Sequence, residues 1–363
     1  MTRSRTNRGR SSRPRAISRW ALPLLAVALL ALAVVGCGDS GDTDAGDGST
    51  SASADASAQR CETITIADLD SPEVHASYYA IDEGIVKDDR IGDIEVSYQT
   101  IPQLVQNAGS DRYDLTSTSL TGVVLVREAT GKDYRIVAMK QALLPGAAQL
   151  WTAAGSPIRS PEDIEGETLG VIGIGGTVTV AAQIVLAENY GLDAKVNGGD
   201  VNVTDLDPPT LLNALKKGQA AAGVLLHFSN WLATSDKELR VVVDLAKEFE
   251  ESFDANIIGG SLIANPDTIE DKAGCLEALQ EMLKASADYA HEHIAEIAPI
   301  VTKLEGGGPQ VPPAYLEYWF DHNQYGNTLD AEWVGWADTF LQQANAHGLA
   351  PEPPKAIDLM FQP

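Results

Sequence analysis

Residues Ser160–Asp193 read SPEDIEGETLGVIGIGGTVTVAAQIVLAENYGLD. Within them Thr168–Ile174 (TLGVIGI) forms a strand, Gly173–Thr177 a glycine loop, and Val178–Asn189 a helix that Gly191 closes. A helical turn led by Ser160-Pro161 precedes the strand. Strand, glycine loop and helix in direct succession mark a βα unit, the building block of an α/β fold.

Working outward, the same order continues and is also found upstream. Downstream come a strand (Val201–Leu206), a helix (Pro209–Lys217), a strand (Ala221–Leu226) and the polar His227. Upstream, Ile64–Asp68 (ITIAD) is a strand, and Ser71-Pro72-Glu73 supplies an N-cap, a proline at the first helical position and a first-turn acid. That helix runs through His75, Tyr78, Tyr79 and Ile81 to Gly84. A strand (Ile94–Tyr98), a helix (Pro102–Ala108) and a short strand near Tyr113–Thr116 follow, ending in the polar cluster Thr116-Ser117-Thr118-Ser119. Writing Pro102-Gln103-Leu104 over Pro209-Thr210-Leu211 sets Thr116 against Gly223. The chain is thus read as two α/β lobes, each a mainly parallel sheet flanked by helices. Ligand sites in such sheets lie outside the carboxyl ends of the strands, so two facing lobes make a cleft.

Leu150–Ser160 is read as the outgoing crossover and Asp254–Ala264 as the return. This gives lobe one as 61–150 and 254–363, and lobe two as 151–253. Asn265-Pro266-Asp267 opens a helical C-terminal region, with Leu276, Leu279, Met282, Leu283 and Ala287 at helical spacing and further helices near Pro313–Phe320 and Ala331–Ala346. Trp319, Phe320, Trp333, Trp336 and Phe340 are read as packing residues, bracing lobe one.

The first 36 residues stand apart. Seven arginines and no acid precede the apolar run Trp20–Val35, the pattern of a secretory signal (1–36). Val34-Val35-Gly36-Cys37 resembles the bacterial lipobox, which implies lipidation of Cys37 and a membrane anchor. Residues 37–60 are rich in Gly, Ser, Asp and Ala, a tether spanning about 25–30 Å. Without the signal, 19 basic residues oppose 51 acidic ones, which argues against a nucleic-acid partner but says little about a small ligand. Cys61 and Cys275 are two cysteines in an oxidising compartment, either a disulfide or two buried thiols.

ITIADLDSPEVHASYYAIDEGI, DLTSTSLTGVVLVREATGKDYRIVA, the 160–193 stretch and LLNALKKGQAAAGVL, in this order, resemble the type II solute-binding proteins of ABC importers. The branch resembled serves nitrate, aliphatic sulfonates, taurine and thiamine-pyrimidine precursors. The resemblance covers residues 62–350. It implies a type II periplasmic-binding-protein fold, no cofactor, a small polar or anionic solute (sulfonate, nitrate, carboxylate or pyrimidine-like) and an ABC permease as partner. It also implies a monomer at the extracytoplasmic face of the cell membrane.

Candidate ligand residues follow from the strand-end positions. Gly175, Gly176 and Thr177 open a helix with free amides, a seat for an anionic or electron-rich group, or else only a tight turn. Thr116, Ser117 and Thr118 offer hydroxyls, or the cluster only caps the next helix, through Ser119 or Thr118. Ser71, His75, His227 and Gln141 complete the set. His291 and His293 are two apart on a helix and face apart, so no metal site is expected. No nucleophile–base arrangement is legible. A receptor for a membrane signalling partner and a pyrimidine-synthase or desulfinase-like enzyme are the alternatives to import by hinge closure.

Overall fold

A computed structural model describes residues 59–302 and 311–362. The signal, Cys37 and the tether through Ala58 lie outside the described residues. Gln59, the end of the expected tether, is docked: its side chain accepts from the Gly274 amide at 2.9 Å.

The first repeat is β1 (Cys61–Leu69), α1 (Pro72–Asp82), β2 (Ile91–Gln99), α2 (Ile101–Asn107), β3 (Leu115–Thr118) and α3 (Leu120–Thr130), followed by β4 (Arg135–Leu143). The chain then enters lobe two through β5 (Gln149–Ala153). The second repeat is β6 (Thr168–Val171), α4 (Thr177–Tyr190), β7 (Ala194–Lys195), β8 (Val201–Asp205), α5 (Pro208–Lys216), β9 (Ala222–Leu225) and α6 (His227–Ser235). Next come β10 (Leu239–Asp244) and α7 (Leu245–Phe253). The chain returns through β11 (Ile257–Ile258) and β12 (Ser261–Ala264), and ends with α8 (Pro266–Glu292), α9 (Ile294–Val301), α10 (Pro313–His322), β13 (Asn323–Thr328) and α11 (Ala331–Ala346).

Several helices begin at a capping side chain or a proline. Asp207, Asp244 and Asn265 accept from the third residues of α5, α7 and α8, and prolines open α1, α5, α8 and α10. Gly131 and Gly191, at φ +65°, end α3 and α4 in the left-handed conformation that glycine adopts without a Cβ clash.

The two sheets are separate. One has the order β11-β4-β12-β3-β1-β2, with β13 also on β4; the other runs β10-β5-β9-β6-β8-β7. β1, β2 and β3 are parallel, as are β6, β7, β8 and β9, while β5, β11, β12 and β13 run antiparallel to their neighbours. The expected α/β fold is therefore present, with mixed sheets around parallel cores. Ala67 pairs with Thr116 in one lobe and Gly170 with Gly223 in the other, so Thr116 and Gly223 occupy equivalent places.

Three expectations need correcting. The outgoing crossover is the short segment 144–148, because Gln149–Ala153 already pairs within the second sheet. The polar cluster does not follow β3: Thr116, Ser117 and Thr118 lie inside it, each paired with β12. The C-terminal helices do not brace lobe one alone. Phe340 of α11 packs 6.0 Å from Phe249 of α7, and His347 meets Glu188 of α4 at 2.9 Å. Buried Trp333 and Phe340 therefore share a core with Val180 and Phe249 of lobe two.

The crossover is pinned from both lobes. Gly146, at φ +94°, donates its amide to Asp244 (2.7 Å), and its carbonyl accepts from Asn230 (2.7 Å) and Tyr318 (2.8 Å). A Cβ there would lie 2.3 Å from the His322 ring. Cys61 at the start of β1 is bonded to Cys275 in α8, with sulfurs 2.06 Å apart.

Candidate functional site

At the carboxyl ends of the parallel strands the lobes touch through two hydrogen bonds. His227, where β9 gives way to α6, puts Nδ1 2.9 Å from Oε1 of Glu73 in the first turn of α1. Thr121 in α3 donates to the Gly175 carbonyl at 3.0 Å. His227 holds φ +51°, a conformation costing a non-glycine residue on the order of 1–3 kcal/mol. Its ring lies flat on Trp319 of α10, with centroids 4.8 Å apart and planes 9° apart.

Around this clasp several buried polar atoms have no partner within hydrogen-bond geometry among the described residues: Ser71 Oγ, Glu73 Oε2, Tyr315 OH and Trp319 Nε1 on one side, and Thr177 Oγ1 at the start of α4. Buried polar atoms without a partner also occur elsewhere among the described residues, in Asn256, Ser286 and Asn327 for example, so those beside the clasp are groups available to a ligand and not a mark peculiar to this place. Glu73 is 3% exposed. Burial pushes its carboxyl up, but the His227 hydrogen bond and charge outweigh that and hold it below the ordinary carboxylate range. The hydroxyls of Ser71 and Tyr315 lie beside the Glu73 carboxyl and interact with it.

Behind α1 lies a second buried group. Lys140 of β4 meets Asp68 of β1 at 2.6 Å, and the other Asp68 oxygen accepts from Tyr78 at 3.1 Å. Burial draws the Lys140 ammonium down, yet the Asp68 charge holds it above its ordinary value; burial and the same charge push the Tyr78 phenol well up. The pair neutralises itself, leaving Glu73 as the buried acid that faces His227.

The glycine loop has the geometry its sequence suggests. Gly173 and Gly175 take φ +78° and +80°, and Gly176 occupies the N-cap of α4 with no side chain to bond the first amides. Two loop amides are committed, since Gly173 donates to Asp205 at 2.9 Å and Gly176 to the Gly173 carbonyl at 3.1 Å.

The sequence-selected residues divide accordingly. His227 and Gly175 make the interlobe contacts, Gly176 and Thr177 follow at the start of α4, Ser71 lies beside Glu73, and Gln141 is buried in β4 against Gly259 and Tyr325. Ser71 stands at the N-cap of α1 but makes no capping bond, against expectation. His75 is turned aside: it bonds Asp70 at 3.2 Å and stacks on Tyr98 at 3.7 Å. Thr116 and Ser117 are buried within β3, and the capping is done by Ser119, which accepts from Gly122. Glu73, Trp319 and Tyr315 were missed as site residues. Glu73 reads as an ordinary first-turn acid, and the two aromatics come from a helix more than 240 positions away in the chain.

No cluster of metal-binding side chains occurs among the described residues. A depression lined by Thr152, Pro157, Lys216, Lys217 and Glu238 lies at the opposite end of the second sheet, away from the clasp. Lys216 there is already paired with Asp236 and Glu238.

A family model described as menaquinone biosynthesis (VitK2_biosynth) matches residues 64–332. No curated protein sequence matches the chain. Among solved structures, the periplasmic aliphatic sulphonate binding protein SsuA from Escherichia coli is 15% identical, covering 83% of this chain and 98% of its own, with a TM-score of 0.63. The alkanesulfonate-binding protein SsuA from Xanthomonas axonopodis pv. citri, bound to MOPS, is 16% identical over 84% and 99%, at 0.63. The Candida albicans CA3427 gene product, described as having the generic periplasmic binding protein structural fold, is 12% identical over 83% and 98%, at 0.60.

Proposed function

The chain belongs to the menaquinone biosynthesis family (VitK2_biosynth), and from that premise we propose that it acts as an extracytoplasmic solute-binding protein, closing its lobes on a small polar organic molecule. The observation that carries this reading is the interlobe clasp, Glu73–His227 and Thr121–Gly175, beside buried polar atoms without partners. Contacts made only when the lobes are together favour the closed form, and a solute that satisfies the free groups adds to that preference. The crossover at Gly146, held by residues of both lobes, is where the chain would rotate. The secretory signal and Cys37 place the protein, in this reading, on the outer face of the membrane as a tethered monomer handing its solute to an ABC permease. The solved neighbours named for sulfonate binding support a binding role.

The family's description favours a second reading, in which the same cleft converts its ligand, with the buried Glu73–His227 pair moving a proton. One experiment separates the two. The full-length protein in detergent is incubated with a solute panel, and thermal shift, small-angle scattering and mass spectrometry of the released solute are recorded. The binding reading expects a raised unfolding temperature, a smaller radius of gyration and a chemically unchanged solute. A converted solute refutes it in favour of the enzyme. A panel that neither stabilises nor compacts the protein removes the cleft as a solute site.

A further inference from the structure

Resting on the lobe-closing reading above, we propose that Asn230 and Tyr318 are positioning residues for the clasp. By sharing the Gly146 carbonyl they hold the crossover at the angle that brings His227 to Glu73, so crossover and clasp open as one.

The junction is built on one oxygen atom. Asn230 Nδ2 reaches the Gly146 carbonyl at 2.7 Å from α6 of lobe two, and the Tyr318 hydroxyl reaches it at 2.8 Å from α10. A carbonyl oxygen carries two lone pairs, and these two donors use both. Asn230 Nδ2 also donates to the Tyr318 oxygen at 3.1 Å, closing a triangle of bonds. Trp151 Nε1 meets Asn230 Oδ1 at 2.8 Å and can only donate, which fixes the orientation of the Asn230 amide. Asn230 is fully buried, so these bonds form where a low dielectric strengthens them.

Each lobe supplies one of the two donors. Leu316, Trp319 and Phe320 of α10 share a core with Ala76 of α1 and Ala287 of α8, on the lobe-one side. The crossover itself is held on both flanks: the Leu144 amide donates to the His322 carbonyl at 3.0 Å, and the Gly146 amide to Asp244.

The same two helices carry the clasp. His227 opens α6 one turn before Asn230, and Trp319 follows Tyr318 on α10. His227 lies flat on Trp319, while Phe228 and Trp231 of α6 meet Tyr315 of α10 at 5.3 and 6.1 Å between ring centroids. Junction and clasp are thus two ends of one packed α6–α10 contact. Packed contacts rearrange between discrete arrangements and do not deform smoothly, so releasing one end releases the other.

Hydrogen exchange read by mass spectrometry tests this on the full-length protein in detergent with no solute added, for the natural chain, Thr121→Val and Tyr318→Phe. Thr121→Val removes a clasp bond and leaves every bond of the junction in place. If one opening frees both ends, the Gly146 amide at the crossover and the Val180 amide at the foot of α4 exchange through it, with less protection than the amides of β1. Each variant lacks one hydrogen bond of the closed form, and should speed both amides by the same factor, about threefold or more. A Gly146 amide that Thr121→Val leaves unchanged overturns the proposal. So does one protected as fully as β1, because it would exchange only when the whole fold opens. That arm needs no change at the junction, so a poorly folding Tyr318→Phe does not rescue the idea. A Val180 amide that a folded Tyr318→Phe leaves unchanged also overturns it. None of these readings uses a solute, so their outcome is separate from that of the solute screen.

Discussion

Removing the link between Cys61 and Cys275 weakens lobe one alone. The two residues are 214 positions apart, and at that separation the chain-entropy relation gives a crosslink worth about 5 kcal/mol at 25 °C. That figure is a ceiling, because losses of native disulfides run at roughly 2–5 kcal/mol. Both cysteines sit in the cluster formed by Ile64, Ile66, Val137, Leu276 and Leu279, all of which belong to lobe one. The double variant Cys61→Ala, Cys275→Ala is expected to lose about 2–5 kcal/mol in a urea transition reporting lobe one. The transition of lobe two should move little, since none of its residues touches that cluster. The assay is urea unfolding followed by circular dichroism and by tryptophan fluorescence, where Trp151 reports lobe two, Trp319 the C-terminal helices on lobe one, and Trp333 the core the lobes share. Peptide mapping of the denatured, unreduced protein should find no free thiol at either position. Two reactive thiols, or a lobe-one transition that the double variant leaves in place, would refute the reasoning.

Lys140→Met strands Asp68 as a buried unpaired acid and should cost about 3–5 kcal/mol in urea unfolding, while adding Asp68→Asn should recover much of it; equal stability of the single and double variants counts against the pair. Glu73 binds its proton less tightly folded than unfolded, so its contribution is present above the ordinary carboxylate range and is lost as pH falls through its lowered value. Urea midpoints at pH 7 and pH 4 should therefore fall further for the natural chain than for Glu73→Gln. Thr121→Val deletes the donor to Gly175 and should weaken closure by about 0.5–1.5 kcal/mol, read as a loss of solute affinity by calorimetry. Gly175→Val forces a β-branched residue to φ +80°, and should lower affinity while leaving the fold intact by circular dichroism, since nothing lies within 4 Å of its Cβ position.

The repeat was legible because its signals are local. Ser71-Pro72, Asp207-Pro208 and Asn265-Pro266 start helices by chemistry contained in adjacent residues, and Gly191 ends one the same way. The equivalence of Thr116 and Gly223 held at the level of strand register. The crossover was misplaced because Leu150–Ala153 is as apolar as a linker between lobes can be, and only pairing with β9 and β10 shows it to be a strand. The site was half legible. His227 and the glycine loop stand at strand ends, where position alone recommends them. Glu73 and Trp319 do not: one looks like a dipole-matched acid, the other like a helix packing residue. Their meeting depends on α10 folding back over α1, which no local pattern encodes.

The register of β4 with β11 has a consequence for how the chain reaches this shape. Leu143 and Ile257 are antiparallel partners, so all of lobe two is threaded between two residues that could be joined by a tight turn. Pairing them across an unfolded loop of roughly 110 residues costs about 3 kcal/mol more than closing a hairpin. If lobe two collapses first, it delivers both strands to the same doorway and most of that cost disappears. Folding should then proceed from the inside of the sequence outward, with the enclosed lobe templating completion of the sheet that surrounds it.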